Sequence, residues 1–265
     1  MSKVVVFTRY GDPDVLHAVA VEHAQTGPGQ VRVCVHAAGV QPFDCLFRSG
    51  AARPWLPARF PQRLGNEFAG VVEAVGEDVS EFSVGDEVLG WAMLASYAEH
   101  VVVGVDDIVR KPQRMDWAEA GALSASGQTA ATALTDLALI SGETVLVNGA
   151  AGGVGTFAVQ LAVASGATVI GTASKSNHDH LRSLGAIPLE YGDDLVRAVH
   201  AVAPDGVDAA LDLSGTSAAL HASVQLVTDK QRIGTTAFTP TAAQLGIRRL
   251  STDRSAALLH RLTDL

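Results

Sequence analysis

The sequence predicts an α/β protein in two parts, a small curved β-domain followed by a doubly wound parallel sheet. Up to about Val109, short β-prone runs such as the alternating stretch 31–36 are separated by glycine and proline, a pattern typical of a small, strongly curved β-domain. From about Trp117, alanine-rich helical stretches alternate with apolar strands, and that alternation indicates a parallel sheet covered by helices. We therefore expect two domains, over residues 1–117 and 118–265.

Local patterns predict the individual elements in order. Further β-prone runs of the first part are Val4 to Phe7, Ala69 to Val75, Glu87 to Gly90 and Glu99 to Val103. The second part predicts a helix over Thr129 to Ile140, a turn at Gly142, a strand over Thr144 to Val147 and a helix from Gly153 to Gly166. Strands are expected over Ala167 to Thr172 and near Ile187 to Leu189, Val207 to Leu213, Arg232 to Thr236 and Ile247 to Leu250.

Composition argues against several classes of function. The chain has 265 residues, 48% of them hydrophobic and 18% charged, which is enough for two domains with cores. Its net charge is −9 and its 19 Lys and Arg residues are scattered, so we expect no nucleic-acid partner. Neither a signal-peptide pattern nor a run of roughly 18 apolar residues occurs, so we expect a cytoplasmic protein without a membrane partner. The only cysteines are Cys34 and Cys45, which excludes a disulfide framework and a four-cysteine zinc site.

A glycine-rich turn at the end of an apolar strand predicts a nucleotide site. Residues 145–155 read VLVNGAAGGVG, and a helix pattern follows. Gly152 lets the backbone approach a pyrophosphate, Gly155 lets the helix pack closely on the strand, and the helix N-terminus presents unpaired N–H groups. Ala150 stands in place of the first glycine of the usual Gly-x-Gly-x-x-Gly pattern. We expect the cofactor to contact Ala150, Gly152, Gly153 and Val154.

The residues after the second strand of this Rossmann-type unit indicate which nucleotide is bound. An NAD site places an acidic residue there, about 20 residues after the start of the fingerprint, for the ribose 2′-hydroxyl. This chain has Ala-Ser-Lys-Ser-Asn at 173–177 instead. Ser174 and Lys175 suit a 2′-phosphate, so we expect NADPH as the cofactor. In the alternative interpretation Lys175 is a solvated loop cation and Ser176 a helix cap. The absence of an acidic residue is therefore a stronger argument for NADPH than the presence of these two residues.

An ordered set of motifs resembles a known family. The set comprises GVQPFD at 39–44, RSG at 48–50, LGNEFAGVV at 64–72, VGDEV at 84–88, YAE at 97–99 and AAGGVG at 150–155. Together they resemble the medium-chain dehydrogenase/reductase superfamily, in its zinc-independent quinone oxidoreductase branch, from residue 3 to the end of the chain. The resemblance implies a GroES-like β-domain joined to a Rossmann domain.

The resemblance also bears on metal binding. Zinc-dependent members have a cysteine near the position of Gln41 and a histidine in a Gly-His-Glu triplet, whose second residue here is Asn66. Two amides are poor zinc ligands, so we expect no metal. The pairs Cys34 with His36 and His178 with His180 are interpreted as strand packing and an exposed helix start.

Further cofactor contacts are implied by the family. Tyr191 stands where members have a tyrosine near the 2′-phosphate. Thr129 matches a threonine at the nicotinamide side, although bonding to its own backbone is about as good an interpretation. Gly234 and Thr235, together with Phe238, follow a strand at the sheet edge where backbone contact to the nicotinamide is expected.

The implied chemistry is hydride transfer from NADPH to a quinone or an α,β-unsaturated carbonyl without metal. A donor aimed at the substrate oxygen lowers the barrier as charge grows there. Gln41, Asn66 and Arg48 are the candidate catalytic donors, and a structural role in turns is the alternative for the two amides. Asp44 and Glu67 are expected to be scaffold. Members often carry a tyrosine in the stretch that here reads Asp-Cys-Leu at 44–46, which predicts a more apolar substrate pocket.

The family pattern continues beyond Leu265 into a segment that returns to the first domain. A trimmed or incomplete chain, a partner chain that fills the gap and a natural variant are the three accounts, and the first and third are favoured. Residues 244–250 would support the family's edge-to-edge homodimer, which we expect besides a small-molecule substrate. A protein that binds NADPH as a scaffold or sensor without turnover is the alternative function.

Overall fold

The computed structural model describes residues 1–237 and 239–265, in which the chain forms two compact units. The first unit comprises residues 1–125 and 254–265, and the second comprises 126–253. The functional domains 1–117 and 118–265 expected from the sequence stay a prediction. None of the helices in the described residues combines the length and apolar character that a membrane span requires.

The first unit is built from two antiparallel sheets. One has the strand order β2-β1-β4 and the other β7-β3-β5-β6-β8. The strands are β1 (Ser2–Phe7), β2 (His17–Val21), β3 (Gln30–Ala38), β4 (Gln62–Arg63), β5 (Glu67–Val75), β6 (Glu87–Trp91), β7 (His100–Gly104) and β8 (Ile108–Arg110). Alternation along β3 buries Val31 and Val33 against Phe68 and Val72, which forms the core of the larger sheet.

Helix α1 (Pro42–Ser49) follows β3 and has clear start and stop signals. Gln41 is its N-cap, and Asp44 accepts a hydrogen bond from the Gln41 backbone N–H at 2.9 Å. Proline at the first helical position suits the helix start, and Gly50 ends the helix in the left-handed conformation. The helix buries Phe47 in a second core with Phe7 and Leu64.

The second unit contains a six-stranded parallel sheet with the order β11-β10-β9-β12-β13-β14. Its strands are β9 (Thr144–Asn148), β10 (Thr168–Thr172), β11 (Ile187–Leu189), β12 (Ala209–Asp212), β13 (Ile233–Thr235) and β14 (Arg248–Arg249). The helices that alternate with them are α3 (Gly153–Ala164), α4 (His178–Ser183), α5 (Leu195–Val202), α6 (Ser217–Leu226) and α7 (Pro240–Leu245). The order reverses between β9 and β12, which is the switch point where ligands bind in open α/β sheets.

The expected fold class, a GroES-like β-domain with a Rossmann-type sheet, is confirmed. One helix prediction was wrong in its bounds: α2 runs from Trp117 to Asp136 rather than over 129–140. Its first half is rich in small side chains and residues 123–128 are all buried, so the amphipathic pattern that marks a surface helix is missing. It ends early because Ala138 has a positive φ of 50°. Helix α8 (Ala256–Asp264) completes the first unit.

Candidate active site

A cleft of 660 Å³ opens at the carboxyl ends of β9, β10 and β12 in the second unit. Its size suits a nucleotide-sized ligand. Its floor is the turn after β9, and its walls come from the ends of the neighbouring strands and the starts of α5 and α6. The lining residues are Gly149, Ala151, Gly152, Thr172, Ala173, Ser174, Asn177, Tyr191, Gly192, Leu195, Leu213, Ser214, Thr216, Ala218 and Ala219.

The turn between β9 and α3 has the geometry of a phosphate cradle. Gly149 takes a left-handed φ of 77°, and Gly152 is the N-cap of α3. A Cβ on Gly155 would lie 2.4 Å from the carbonyl oxygen of Gly149, so only glycine lets the helix approach the turn this closely. Because α3 begins at Gly153, its unpaired N–H groups and the positive end of its dipole lie beside the cleft.

One edge of the cleft carries hydroxyl, amide and phenol groups. The Ser174 hydroxyl accepts a hydrogen bond from Asn177 Nδ2 at 3.1 Å and lies 3.1 Å from the Ser176 hydroxyl. Tyr191 is exposed and lines the same cleft. None of the cleft residues in the described part of the chain is acidic. The residues that line this edge therefore offer hydroxyl and amide groups and include no carboxylate.

Asp212, the last residue of β12, organises the opposite wall. It is fully buried, and its carboxylate accepts hydrogen bonds from the Ser214 backbone and hydroxyl, the Gly215 backbone and the Thr235 hydroxyl. Several donors on one carboxylate fix the turn that leads into α6. Thr216 lines the cleft and caps that helix by accepting from the Ala219 N–H at 3.3 Å.

Of the residues predicted to bind the cofactor, Gly152, Ser174 and Tyr191 line the cleft. Gly153 and Val154 are the first residues of α3, directly after the cradle. Three of the predicted positions therefore line one cavity of the second unit, and two directly follow its glycine-rich turn.

The other predicted cofactor residues do not line this cleft in the described structure. Ala150 and Thr235 are fully buried, and the Thr235 hydroxyl donates to Asp212 at 2.7 Å. A Cβ on Gly234 would lie 2.3 Å from Leu250 Cδ2, so packing alone explains that glycine.

Lys175 and Thr129 are the two remaining residues that were predicted to bind the cofactor. Lys175 is exposed beside Ser174, and Thr129 is half-buried on α2. Phe238 lies outside the described residues.

In the first unit, four polar side chains form a cluster around Asp44. Asp44 Oδ1 accepts from Asn66 Nδ2 at 2.8 Å, and Oδ2 accepts from the Tyr97 hydroxyl at 2.8 Å. The Gln41 amide donates to Glu67 Oε1. Glu67 Oε2 accepts from the Ala125 N–H at 2.6 Å. The polar cluster therefore holds both predicted amide donors, Gln41 and Asn66, each bonded to a carboxylate.

Burial dominates the electrostatics of the polar cluster. Desolvation raises the pKa of Glu67. The hydrogen bonds from the Ala125 N–H and the Gln41 amide and the charge of Arg254 lower this pKa, but desolvation is the larger effect. Desolvation, followed by the hydrogen bond to Asp44, raises the pKa of Tyr97, so this phenol stays protonated. Burial lowers the pKa of Arg254, while Glu67 and Asp44 oppose the shift.

Arg48, the third predicted donor, lies elsewhere. Its guanidinium donates to the carbonyl oxygen of Gly11, and the Gly11 N–H donates to the Arg48 carbonyl at 3.2 Å. These contacts fix the loop after β1. The structure does not bring Arg48 into the polar cluster.

Sequence reasoning missed Tyr97 and Arg254 as members of this site. Arg254 Nη1 donates to the carbonyl oxygen of Asn66 at 3.3 Å, across most of the length of the sequence. Tyr97 stands in a recognised motif, YAE, which was the one signal that could have drawn attention to it. No local pattern marks Arg254.

Comparisons with known proteins agree with this architecture. Residues 27–113 match the family model of the alcohol dehydrogenase GroES-like domain, and residues 153–261 match that of the zinc-binding dehydrogenases. A quinone oxidoreductase of Pseudomonas aeruginosa is 41% identical over 177 residues, which cover 66% of this chain and 53% of that protein. The chain thus matches about half the length of such curated relatives.

Solved structures extend the likeness to the whole chain. The quinone oxidoreductase from Coxiella burnetii superposes with a TM-score of 0.85 at 32% identity, over 100% of this chain and 87% of that one. The Escherichia coli quinone oxidoreductase complexed with NADPH gives 0.87 at 25% identity, over 99% and 86%. The CurK enoyl reductase gives 0.88 at 25% identity, also over 99% and 86%.

A GroES-like domain and a Rossmann-type sheet with a cradle at its switch point define a protein of the dehydrogenase/reductase class. The chain belongs to the medium-chain dehydrogenase/reductase superfamily, and quinone oxidoreductases are among its homologues.

Proposed function

We propose that the protein is an NADPH-dependent oxidoreductase that transfers hydride to a quinone or an α,β-unsaturated carbonyl without a metal. The observation that carries the proposal is the cleft edge, where Ser174, Asn177 and Tyr191 line the cavity and no lining residue is acidic. The likeness to a quinone oxidoreductase complexed with NADPH supports the proposed cofactor, and the likeness to that protein and to an enoyl reductase supports the proposed acceptors.

The residues present fit the cofactor. The cradle has no room for a Cβ at Gly155, and the start of α3 supplies N–H groups for the pyrophosphate. Ser174 and Asn177 would bind the 2′-phosphate, with Lys175 beside them and Tyr191 at the rim. The bound cofactor would supply the hydride.

The polar cluster of the first unit would supply the hydrogen-bond donors. Asn66 Nδ2 carries two N–H groups, and the bond to Asp44 fixes the plane of the amide. An amide held in this way can stabilise negative charge on a substrate oxygen without reorganising. Tyr97 and Asp44 act as positioning residues, since the phenol donates to the same carboxylate that orients Asn66.

Cofactor choice is tested by titrating the protein with NADPH and NADH and following nicotinamide fluorescence. We expect tighter binding of NADPH. Ser174→Glu should weaken NADPH binding at least about tenfold, because a carboxylate beside the 2′-phosphate adds a like-charge repulsion of about 1.4 kcal/mol or more. Ser183→Glu, on the exposed surface of the same unit, is the matched control. Equal affinity of the parent protein for NADH would refute the assignment of this edge.

Turnover is tested by the loss of nicotinamide absorbance with a panel of quinones and enones. We expect Asn66→Ala to lower kcat by about a hundredfold, as loss of one oxyanion donor does elsewhere, with NADPH affinity unchanged. NADPH binding without oxidation by any acceptor would refute hydride transfer and favour the scaffold or sensor function.

A further inference from the structure

Three side chains outside the polar cluster meet in the first unit with groups that bind metals. They are His23 in the connection between β2 and β3, Glu73 on β5 and His100 at the start of β7. One ligand atom of each lies within 4.8 Å of the other two. The ligand atoms around a tetrahedral zinc ion lie about 3.3 Å apart. Small side-chain rotations would therefore bring these three ligand atoms to the distances that zinc requires.

The backbone itself turns Glu73 toward the histidines. Arg32 pairs with Ala74 and Val33 with Val72, so Glu73 is the extra residue of a bulge between β3 and β5. Bulges re-aim a side chain out of the regular alternation of a strand. Glu73 Oε2 thereby lies 3.6 Å from Nε2 of His100, close to the separation of two zinc ligands.

The other ring nitrogen of His100 has the contact expected of a metal ligand. Its Nδ1 lies 3.0 Å from the hydroxyl of Ser2 on β1. When this hydroxyl accepts from Nδ1–H, the neutral ring carries its lone pair on Nε2, the atom that faces Glu73. Histidines that bind metals typically donate their second ring nitrogen to an outer partner in this way.

The ring of His23 provides independent evidence for a bound ligand at this place. Its Nδ1 is buried and has no hydrogen-bond partner in the described part of the chain. The two imidazole rings lie 4.7 Å apart and are tilted by 61°. A buried ring nitrogen without a partner is costly, and a cation shared with His100 and Glu73 gives the His23 ring a binding partner.

Arg32 carries a positive charge that opposes a cation here. Its Nε donates to Glu73 Oε2 at 2.8 Å, and its Nη1 donates to the carbonyl oxygen of Ala24 at 3.1 Å. Each carboxylate oxygen has two lone pairs, so Oε2 can accept from Arg32 and still bind a cation beside His100. The bond to Ala24 also fixes the backbone next to His23.

We propose that His23, Glu73 and His100 bind a zinc-type divalent cation, with water as the fourth ligand. Two imidazoles and one carboxylate are a ligand set that zinc accepts. The side chain of Glu73 is 43% exposed, which gives the ion and the water access. The bound ion would tie the connection between β2 and β3 to the larger sheet. The sequence predicts no metal in this protein, so a zinc site at these three residues departs from that expectation.

The test is a zinc titration of the untagged full chain after treatment with a chelator, at neutral pH against a competing indicator. We expect one equivalent to bind and the thermal midpoint to rise. His23→Gln and His100→Gln should each weaken binding at least about tenfold. His17→Gln, an exposed histidine on β2, is the matched control and should bind like the parent. A background with Cys34→Ser and Cys45→Ser excludes thiol ligands.

Two further measurements separate ligation from a folding defect. Glu73→Gln changes an exposed side chain and should fold normally while losing zinc affinity. In the parent, zinc should shift the ring nitrogen resonances of His23 and His100 and leave those of His17 unchanged. Binding of less than one equivalent, or equal affinity in the parent and the two histidine variants, would overturn the proposal.

Discussion

The buried carboxyl of Glu67 should make the first unit less stable as the pH rises above 4.5. Burial raises the pKa of Glu67 above its ordinary value of 4.5, although the Ala125 N–H, the Gln41 amide and Arg254 all favour the charged form. The folded state therefore holds this proton more tightly than the unfolded state does. The free energy of unfolding then falls as the pH rises from 4.5 through the folded pKa, and it is constant above that.

Glu67→Gln isolates this contribution. The amide does not titrate, and its oxygen can still accept the Ala125 N–H. The unfolding free energy of the parent minus that of the variant should decrease as the pH rises from 4.5 to the folded pKa of Glu67. The decrease should be at most about 1.4 kcal/mol per pH unit. Carboxyls that do not interact with Glu67 titrate equally in both proteins and cancel.

The assay follows from the positions of the tryptophans. Trp55, Trp91 and Trp117 are the three of the chain, and all lie in the first unit. Urea denaturation followed by tryptophan fluorescence therefore reports on the unit that contains Glu67. Glu77→Gln removes an exposed charge from the same unit as the control. A parent that gains stability over Glu67→Gln as the pH rises would refute the reasoning.

Further predictions concern hydrogen bonds and packing. Tyr97→Phe removes the donor 2.8 Å from Asp44 Oδ2 and should cost about 1.5–3 kcal/mol in the same urea assay. Gly155→Ala places a Cβ 2.4 Å from a carbonyl oxygen and should lower the thermal stability of the second unit by about 1–3 kcal/mol. Arg232 donates to both oxygens of Glu143 at 3.0 and 2.6 Å, and a double-mutant cycle with Arg232→Gln and Glu143→Gln should give a coupling of about 1 kcal/mol. Because Arg232 holds the pKa of Glu143 below 4.5, this coupling should persist above pH 4.5 and vanish as the pH falls through the folded pKa.

Each of these predictions has a control variant or an outcome that would contradict it. Tyr191→Phe changes an exposed phenol of the second unit and should leave the tryptophan signal unaffected. At Gly152 the nearest atom to a Cβ lies at 3.4 Å, so Gly152→Ala should cost less stability than Gly155→Ala, and the reverse order would contradict the packing argument. A coupling that stays unchanged after Glu143 has been protonated in the folded protein would contradict the ion pair.

Local chemistry explains why much of the second unit could be predicted. A strand that runs into a turn at Gly149 and a helix that needs Gly155 are specified by neighbouring residues, so the sequence alone indicates the cradle. The same holds for the edge around Ser174, because the type of residue after a strand end is read directly from the chain. The prediction that Ser174 and Tyr191 bind a 2′-phosphate stays a prediction.

The rest depends on residues that are distant in the sequence. The polar cluster brings Arg254 to the carbonyl of Asn66 and Tyr97 to Asp44, and nothing near these residues in the chain indicates the contact. Arg48 shows the converse, since its position in a family motif suggested a donor for substrate while its guanidinium donates to Gly11. Tertiary packing decides both cases.

The division of the chain has a consequence for how the protein is made. The first unit includes residues 254–265, where Leu259 is buried and Arg114 donates to the carbonyl oxygen of Thr263. A ribosome synthesises all of residues 126–253 before these contacts can form. During translation the parallel sheet can therefore fold before helix α8 joins the β-domain.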